Sequence, residues 1–270
     1  MPSAPTAAAA AAAPRPLILL SNDDGQASPG IRAMYEALAS RADVVLMAPE
    51  TEQSATSHSL TLHRPLRLRS LKLPNMTAFG LDGTPADCVY VALHSGTRIL
   101  PRRPDLVVSG INRGMNLGQD AFYSGTVAAA REGALRGIPA VAVSAHHPGA
   151  ELPGVAELGA RIAMELYDRA RRGAIPAAPL MNVNVPEKWN GEVRATKLGQ
   201  RIYEELVEYR KDPRGREYLW LGGPGVRHER DHGTDTDAYD DGAASVTSLI
   251  LDLTQPNDHA AVLEICAKVS

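Results

Sequence analysis

The chain has 270 residues, of which 44% are hydrophobic, so it can bury the core of one large domain or of a domain with a smaller appendage. Its 28 Lys and Arg residues nearly balance its 31 Asp and Glu residues, which gives a formal net charge of -3 and no dominant basic character. This balance argues against duplex nucleic acid and anionic membranes as main partners.

Residues 1–15 are rich in Ala and Pro, with no positive charge ahead of the alanine run. We interpret them as a disordered extension rather than a signal peptide, and no apolar run reaches the roughly 18 residues of a membrane span. Cys88 and Cys266 lie far apart and outside any CxxC pattern, which predicts two buried, reduced thiols and no thiolate metal site. We therefore expect a cytoplasmic protein.

Apolar runs typical of buried strands alternate with helical patterns through most of the chain. Strands are predicted at Leu17–Ser21, Val44–Ala48, Leu106–Ser109, Ala140–Ser144 and Met181–Pro186. Helices are predicted at Ile31–Ser40, Thr126–Arg136 and Val155–Arg171. This alternation indicates crossover connections, and hence an α/β fold with a mostly parallel sheet covered by helices on both sides.

Two regions depart from this alternation. Leu66–Leu71 and Thr77–Leu81 flank Pro74-Asn75 with alternating patterns, which predict an antiparallel hairpin. Residues 190–245 are rich in glycine, charge and tyrosine, and we interpret them as extended hairpins that leave the core. Residues 16–187 would then form the core, and residues 188–270 an arm and C-terminal segment for oligomer contacts and completion of the sheet.

Polar residues follow three of the predicted strands. These loops contain Asn22-Asp23-Asp24-Gly25, Gln53–Ser59 and Asn112–Gly118. Ligands of a parallel α/β sheet bind beyond the carboxyl ends of its strands, so the loops should share one rim. Their oxygen groups suit Mg²⁺, Mn²⁺ or Ca²⁺, and a cation would offset the repulsion between Asp23 and Asp24. The alternative is a tight turn at Asp24-Gly25, with Asp23 capping the next helix.

Ser124, Gly125 and Thr126 begin a predicted helix, whose free N–H groups and dipole favour a phosphate, although an ordinary cap gives the same pattern. The glycines of the preceding INRGMNLGQD stretch would let backbone N–H groups approach an anion. This stretch lacks the Walker A lysine, and no GxGxxG follows the first strand, which argues against nucleoside triphosphates and dinucleotides.

Two further histidine-bearing segments are open to more than one interpretation. His58 lies in the second polar loop, where it fits a structural role or, alternatively, that of a general acid or phosphate contact. Arg227–Gly242, RHERDHGTDTDAYDDG, is crowded with metal-capable groups, but we interpret it as a solvated turn.

Seven stretches follow one another along the chain: ILLSNDDGQASPGI, APETEQSATSHSLTL, GTPADCV, VVSGINRGMNLGQDAFYSGTVAAAREG, IPAVAVS, MNVNVP and GTDTDAYDDGAASVTSLILDLT. Together they resemble the successive motifs of the SurE family of survival-protein nucleotidases. The resemblance covers nearly everything after the Ala-rich extension. It implies a Rossmann-like, three-layer core with a C-terminal arm.

The resemblance also implies hydrolysis of nucleoside 5′- and 3′-monophosphates with one Mg²⁺ or Mn²⁺, and trimming of short polyphosphate by some members. Carried over by position, Asp23 and Asp24 would be catalytic and would bind the metal together with Ser54 and Asn112. Asn116 and Ser124-Gly125-Thr126 would hold the phosphate. Family members are typically dimers or tetramers with exchanged C-terminal hairpins, which agrees with our interpretation of residues 190–245.

Three positions differ from the usual family pattern. Gln53 stands where Arg is common, Ser57 where Gly is common, and Thr247-Ser248-Leu249 where Thr-Pro-Leu is common. None of these changes removes a predicted ligand, but Gln53 alters the charge near the site and so bears on substrate preference. Two alternatives stay open: a phosphatase of other small phosphomonoesters, and a non-catalytic module that binds a metal and a nucleotide.

Overall fold

The computed structural model describes residues 15–146, 152–175, 178–203, 207–222, 225–255 and 258–269; the predicted extension, up to residue 14, lies outside them. The strands are β1 (Leu17–Ser21), β2 (Asp43–Pro49), β3 (Leu68–Leu73), β4 (Met76–Leu81), β5 (Leu106–Arg113), β6 (Ala140–Ala145), β7 (Leu180–Val185), β8 (Val193–Thr196), β9 (Arg201–Tyr203), β10 (Val207–Lys211), β11 (Glu217–Leu221), β12 (Val226–His228) and β13 (Ala244–Leu249). The helices are α1 (Pro29–Ala39), α2 (Pro85–His94), α3 (Asp120–Tyr123), α4 (Gly125–Leu135), α5 (Leu152–Arg171), α6 (Asp235–Asp240) and α7 (His259–Val269), with a short 3-10 turn at Gly96–Arg98.

Nine strands form one sheet in the order β3-β4-β2-β1-β5-β6-β7-β13-β8. The five pairings from β4 to β7 are parallel, while β3 pairs antiparallel with β4 and β13 antiparallel with β7. The mostly parallel sheet and the β3-β4 hairpin are confirmed. Two small ribbons, β10-β11 and β9-β12, lie outside this sheet.

Helices cover both faces of the sheet, which makes three layers. Successive residues of β1 point to opposite faces: Ile18 and Leu20 pack in the cluster with α1 and α5, whereas Leu17 and Leu19 pack in the cluster with α2 and α4. The continuous apolar run of β1 is thus explained by burial on both sides. The predicted α/β class is confirmed.

The helices that pack on the sheet begin where their sequences supply caps. Ser28 accepts the Ile31 N–H at the start of α1, where Pro29 has the fixed φ that a first turn requires. At α2, Thr84 and Asp87 form a reciprocal capping box. These local signals determine where α1 and α2 begin.

The region after residue 188 contributes more to the core than extended hairpins would. β13 and β8 extend the sheet, and α6 buries Asp235, Thr236 and Asp237. The interpretation of residues 190–245 as hairpins that leave the core is therefore wrong for β8 and α6, whose polar composition resembles that of a surface loop. β13 lies in the segment predicted to complete the sheet. Among the paired strands of the described residues, only those of the β10-β11 ribbon are exposed at every position.

Three smaller observations refine the predicted boundaries. Arg15, assigned to the disordered extension, donates hydrogen bonds to the carbonyls of Ala39 and Ala42. Cys88 is buried as predicted, but Cys266 is exposed because no residue of α7 is buried. Among the described residues, no helix combines the length and the hydrophobicity that crossing a bilayer requires.

Candidate functional site

The polar loops after β1, β2 and β5 meet at the carboxyl end of the sheet, as their positions along the chain predict. Backbone hydrogen bonds join them: Gln26 N–H to the Pro49 carbonyl and Gln53 N–H to the Asp23 carbonyl, both at 2.8 Å. The Asp24 carboxylate accepts the Arg113 N–H at 2.9 Å. The three loops therefore form one connected rim.

A cavity of about 430 Å³ opens at this rim. Five of the residues predicted for metal or phosphate binding line it: Asp23, Ser54, Asn112, Asn116 and Ser124. The structure thus brings together side chains that are up to 101 residues apart in sequence, counting from Asp23 to Ser124. The cavity size is typical of small-molecule sites.

Asp23 is held at the cavity by the start of α4. Its carboxylate, only 5% exposed, accepts the Thr126 N–H at 3.0 Å and a second, short hydrogen bond from the Thr126 hydroxyl. A Cβ on Gly125 would lie 2.9 Å from the Asp23 Cβ, so the glycine permits this approach. The helix dipole and N–H groups here favour a carboxylate, as they would a phosphate.

This arrangement gives the Ser124–Thr126 segment a role beside the predicted one. Both donors of Thr126 are directed at Asp23, and the absence of a Cβ on Gly125 gives space to Asp23. Contact of Gly125 and Thr126 with a phosphate stays a prediction. Ser124 caps α4 by accepting the Val127 N–H at 3.0 Å and still lines the cavity. The alternative in which Asp23 caps α1 is also not observed, because Ser28 is that cap.

The electrostatics around Asp23 favour a bound cation. Burial raises the pKa of Asp23 to about 6, against hydrogen bonds from Thr126 that lower it, and the neighbouring Asp24 raises it further. Asp23 forms no salt bridge with a described side chain, although Arg113 also lines the cavity. A divalent ion would supply counter-charge directly at the Asp23 carboxylate.

The donor set fits a hard metal ion with oxygen ligands. Asn112 donates its amide nitrogen to the Gly114 carbonyl at 2.9 Å, so its side-chain oxygen is the group left for a cation. The Ser54 hydroxyl donates to Glu52 at 2.7 Å and keeps its lone pairs for coordination. Among the described residues, no group of three or more His, Cys, Asp and Glu forms a metal cluster, so two carboxylates would share the ion with these neutral oxygens.

An irregularity in β5 places Asn112. The predicted strand ended at Ser109, but β5 continues to Arg113, with a register shift against β6 between Ser109 and Asn112. Gly110 has φ +135°, and a Cβ there would lie 2.3 Å from the Val143 carbonyl oxygen. Only glycine fits this bend, which carries Asn112 to the cavity.

Asn116 is fixed by the ends of two neighbouring strands. Its N–H donates to Asn184 Oδ1 at 2.8 Å, its Nδ2 donates to Ser144 Oγ at 2.7 Å, and its carbonyl accepts from Asn182 Nδ2 at 2.8 Å. The two asparagines of MNVNVP therefore position Asn116, a role that their alternation with buried valines could have suggested.

Sequence reasoning also missed a group of residues at the far wall of the cavity. Tyr123 and Tyr203 both line it, and Asp120 accepts hydrogen bonds from the Arg201 guanidinium and the Tyr203 hydroxyl. Arg201 and Tyr203 belong to β9, so the C-terminal region closes one side of the site. No local sequence pattern in β9 predicts the contacts of Arg201 and Tyr203 with Asp120, because these contacts depend on the tertiary fold.

Asp235 clamps the cavity loop to the beginning of this C-terminal wall. Its two oxygens accept the N–H groups of Gly118 at 2.9 Å and Gly199 at 2.7 Å, and the residue is 0% exposed. Burial raises the pKa of Asp235, while the backbone hydrogen bonds oppose that shift. The prediction of a solvated turn at Arg227–Gly242 is wrong at Asp235; the Thr234 cap of α6 is the local signal that could have identified the helix.

His58 anchors its loop rather than facing the cavity. Its Nε2 lies 2.8 Å from Glu132 Oε2 on α4, and the adjacent Ser57 N–H donates to the Tyr123 carbonyl at 3.0 Å. Burial raises the pKa of Glu132, but hydrogen bonds from His58 and Arg136 outweigh it and leave that pKa lowered. These contacts support the structural role for His58.

Comparison with known proteins places this geometry in context. The family model "Survival protein SurE" matches residues 18–205. A protein named 5′-nucleotidase SurE from Sorangium cellulosum is 61% identical over 239 residues, which cover 88% of this chain and 91% of the relative. A protein of the same name from Methylococcus capsulatus is 46% identical and covers 88% and 92%. The crystal structure of the SurE protein from Aquifex aeolicus matches with a TM-score of 0.76 and 37% identity, covering 93% of this chain and 99% of that one.

Proposed function

Because this chain belongs to the SurE family, we propose that it is a divalent-metal-dependent phosphomonoesterase that converts nucleoside 5′-monophosphates to nucleoside and phosphate. The names of its relatives support a nucleotidase. The observation that carries the proposal is the buried carboxylate of Asp23, which lies next to Asp24 in the chain, lines a polar cavity and forms no salt bridge with a described side chain.

One Mg²⁺ or Mn²⁺ would be held by Asp23, Asp24, Ser54 and Asn112. Such an ion, when bound, supplies positive charge to the phosphate oxygens and makes water a better nucleophile near neutral pH. The chain's own part is to hold two carboxylates close together in a low-dielectric site. Thr126 does this for Asp23, and the Arg113 N–H does it for Asp24.

The phosphate would rest against Asn116 and Ser124, two neutral lining residues that can donate hydrogen bonds and are not assigned to the metal ion. The bonds from Asn116 to Ser144 and Asn184 keep its position rigid, so little reorganisation is needed when negative charge shifts during phosphoryl transfer. No lining residue is an evident general acid, and His58 is engaged with Glu132.

Hydrolysis of nucleoside 3′-monophosphates and removal of terminal phosphate from short polyphosphate are further parts of the proposal. Two rivals use the same residues: a phosphatase for other small phosphomonoesters, and a binding module without turnover. A panel of 5′-AMP, 3′-AMP, glycerol 2-phosphate and tripolyphosphate, assayed for phosphate release with Mn²⁺, separates them.

We expect the highest kcat/KM for 5′-AMP, with measurable release from 3′-AMP. A higher kcat/KM for glycerol 2-phosphate would replace the nucleotidase by the broader phosphatase. Tight binding of 5′-AMP in calorimetry without phosphate release from any compound would establish the binding module instead.

We also propose that the protein is a homodimer or homotetramer joined through its C-terminal region. The β10-β11 ribbon supports this, because it exposes a run of large apolar and aromatic side chains: Tyr209, Tyr218, Leu219, Trp220 and Leu221. An exposed ribbon with these side chains is typical of a surface that is covered in an assembly.

A further inference from the structure

Two tyrosines stand in the wall of the cavity that contains Asp23. Tyr123, at the end of α3, is 62% exposed, and Tyr203, on β9, is 41% exposed. Both come from segments other than the loops that carry the predicted metal ligands. Aromatic rings that remain exposed inside a polar cavity offer apolar faces to a ligand.

Tyr203 is fixed in place rather than loosely attached. Its hydroxyl donates to Asp120, and the Arg201 guanidinium carbon lies 5.3 Å from the centre of its ring. Arg201 is itself anchored, because its N–H donates to Gln119 Oε1 at 2.9 Å and its guanidinium pairs with Asp120. A ring held through its hydroxyl and supported by a cation is already positioned for stacking.

Tyr123 is fixed through its backbone. Its carbonyl accepts the Ser57 N–H at 3.0 Å, and the next residue, Ser124, caps α4 on the cavity side. Its side chain makes no hydrogen bond that would withdraw the ring from the cavity among the described contacts. Tyr123 therefore adjoins Ser124 directly, whereas Tyr203 belongs to the separate C-terminal wall.

We propose that Tyr123 and Tyr203 bind the nucleobase of the substrate by stacking, beside the polar floor formed by Asp23 and Asn112. This inference rests on the proposed phosphomonoesterase function and specifies that the substrate carries a base. Every base has a π-face, so such a site tolerates all four bases and selects nucleotides over phosphomonoesters without a base.

The test compares kcat/KM for 5′-AMP with kcat/KM for ribose 5-phosphate, which has no base, and uses their ratio as the readout. The variants are Tyr123→Ala, Tyr203→Ala and Tyr203→Phe. Tyr90→Ala is the matched control, because this α2 tyrosine is 38% exposed and does not line the cavity. A general loss of folding or of metal binding lowers kcat/KM for both compounds and leaves their ratio unchanged.

We expect the ratio to fall about tenfold or more in Tyr123→Ala and Tyr203→Ala, as for the loss of one base-stacking contact, and to stay unchanged in Tyr90→Ala. In Tyr203→Phe we expect a smaller fall, because the ring and its contact with Arg201 remain while the hydroxyl bond to Asp120 is lost. An unchanged ratio in both alanine variants of an active enzyme overturns the base site but leaves the phosphatase intact. An equal fall in Tyr203→Phe and Tyr203→Ala assigns the effect to the hydroxyl and overturns stacking at Tyr203.

If the wild-type protein hydrolyses neither compound, the proposed function fails and the base site is tested by binding instead. Calorimetry with Mn²⁺ then gives the Kd ratio of ribose 5-phosphate to 5′-AMP. A ratio well above one that collapses in the alanine variants supports the inference, and equal Kd values for the two compounds overturn it.

Discussion

At the scale of single residues, the ionised carboxylate of Asp23 destabilises the metal-free fold, although the ionised form is the one that would bind a cation. Its folded-state pKa of about 6 lies above the ordinary value of 3.8, because burial and Asp24 disfavour the charged form. The protonated carboxyl thus stabilises the metal-free fold fully below pH 3.8, and this contribution is lost as the pH rises through 6. A cation would remove the conflict by neutralising the ionised group.

Asp23→Asn should therefore stabilise the metal-free protein above pH 6. The uncharged amide can accept the Thr126 N–H and donate to the Thr126 hydroxyl. The rise of the Asp23 pKa from 3.8 to about 6 limits the gain in the free energy of unfolding to about 3 kcal/mol. Thermal unfolding in EDTA at intervals from pH 4 to pH 8 measures it. We expect the gain to vanish towards pH 4; a difference between variant and wild type that is the same at every pH would contradict the assigned cause.

The backbone of Ser57 is strained, and glycine, which is common at this position in the family, would relieve that strain. It has φ +52°, in the left-handed region where glycine is free of the Cβ penalty. Ser57→Gly should raise the free energy of unfolding by up to about 1 kcal/mol, measured in urea. Ser59→Gly is the control, because Ser59 is not among the positive-φ residues and glycine should be destabilising there. Equal effects of the two substitutions would refute the strain.

At the scale of elements, Asp235 joins the core of the site to its C-terminal wall. In Asp235→Asn, one carboxylate oxygen becomes an N–H₂ group that faces the N–H of Gly118 or Gly199, so a buried donor loses its acceptor. We expect a loss of about 1–3 kcal/mol in the free energy of unfolding and a lower kcat/KM for 5′-AMP, because β9 is displaced.

Urea unfolding and steady-state kinetics measure these two effects. Asp212→Asn provides the control, since Asp212 lies in the turn between β10 and β11, away from the cavity. If Asp235→Asn behaves like this control, the clamp has no structural role.

How far the elements could be predicted depends on the range of the interactions that form them. β1 and α1 could be located because an apolar run and a Ser-Pro start are local signals. The continuation of β5 to Asn112 could not, because it depends on a fit of Gly110 against Val143 on the neighbouring strand. The burial of Asp235 could not be predicted either, because it depends on two N–H groups, one of which is 117 residues distant.

The same distinction applies to the site. The rim could be predicted because the parallel sheet places the loops after its strands at one end. The contact of Thr126 with Asp23 spans 103 residues and gives the start of α4 a role in holding a carboxylate. Such a contact has no signature in either segment taken alone.

At the scale of the whole molecule, the exposed β10-β11 ribbon predicts self-association. Trp220→Glu should lower the mass in solution from that of the assembly towards that of a 28.8 kDa monomer, because a charge opposes burial of that surface. Multi-angle light scattering measures the mass. Leu135→Glu is the control, since Leu135 is 50% exposed on α4, outside the C-terminal region. A wild-type protein that is already monomeric would contradict the proposed assembly.

The central claim is that Asp23 and Asp24 hold a cation on which phosphate release depends. The most direct measurement is phosphate release from 5′-AMP by the wild type, Asp24→Asn and Asp43→Asn, first in EDTA and then with Mn²⁺ in excess. Asp43 is an exposed carboxylate at the start of β2, opposite the rim. We predict that the wild type and Asp43→Asn lose activity in EDTA and regain it with Mn²⁺, while Asp24→Asn stays at least 100-fold below them, about 2.7 kcal/mol of transition-state stabilisation. Release that persists in EDTA, or full activity of Asp24→Asn, would contradict the account.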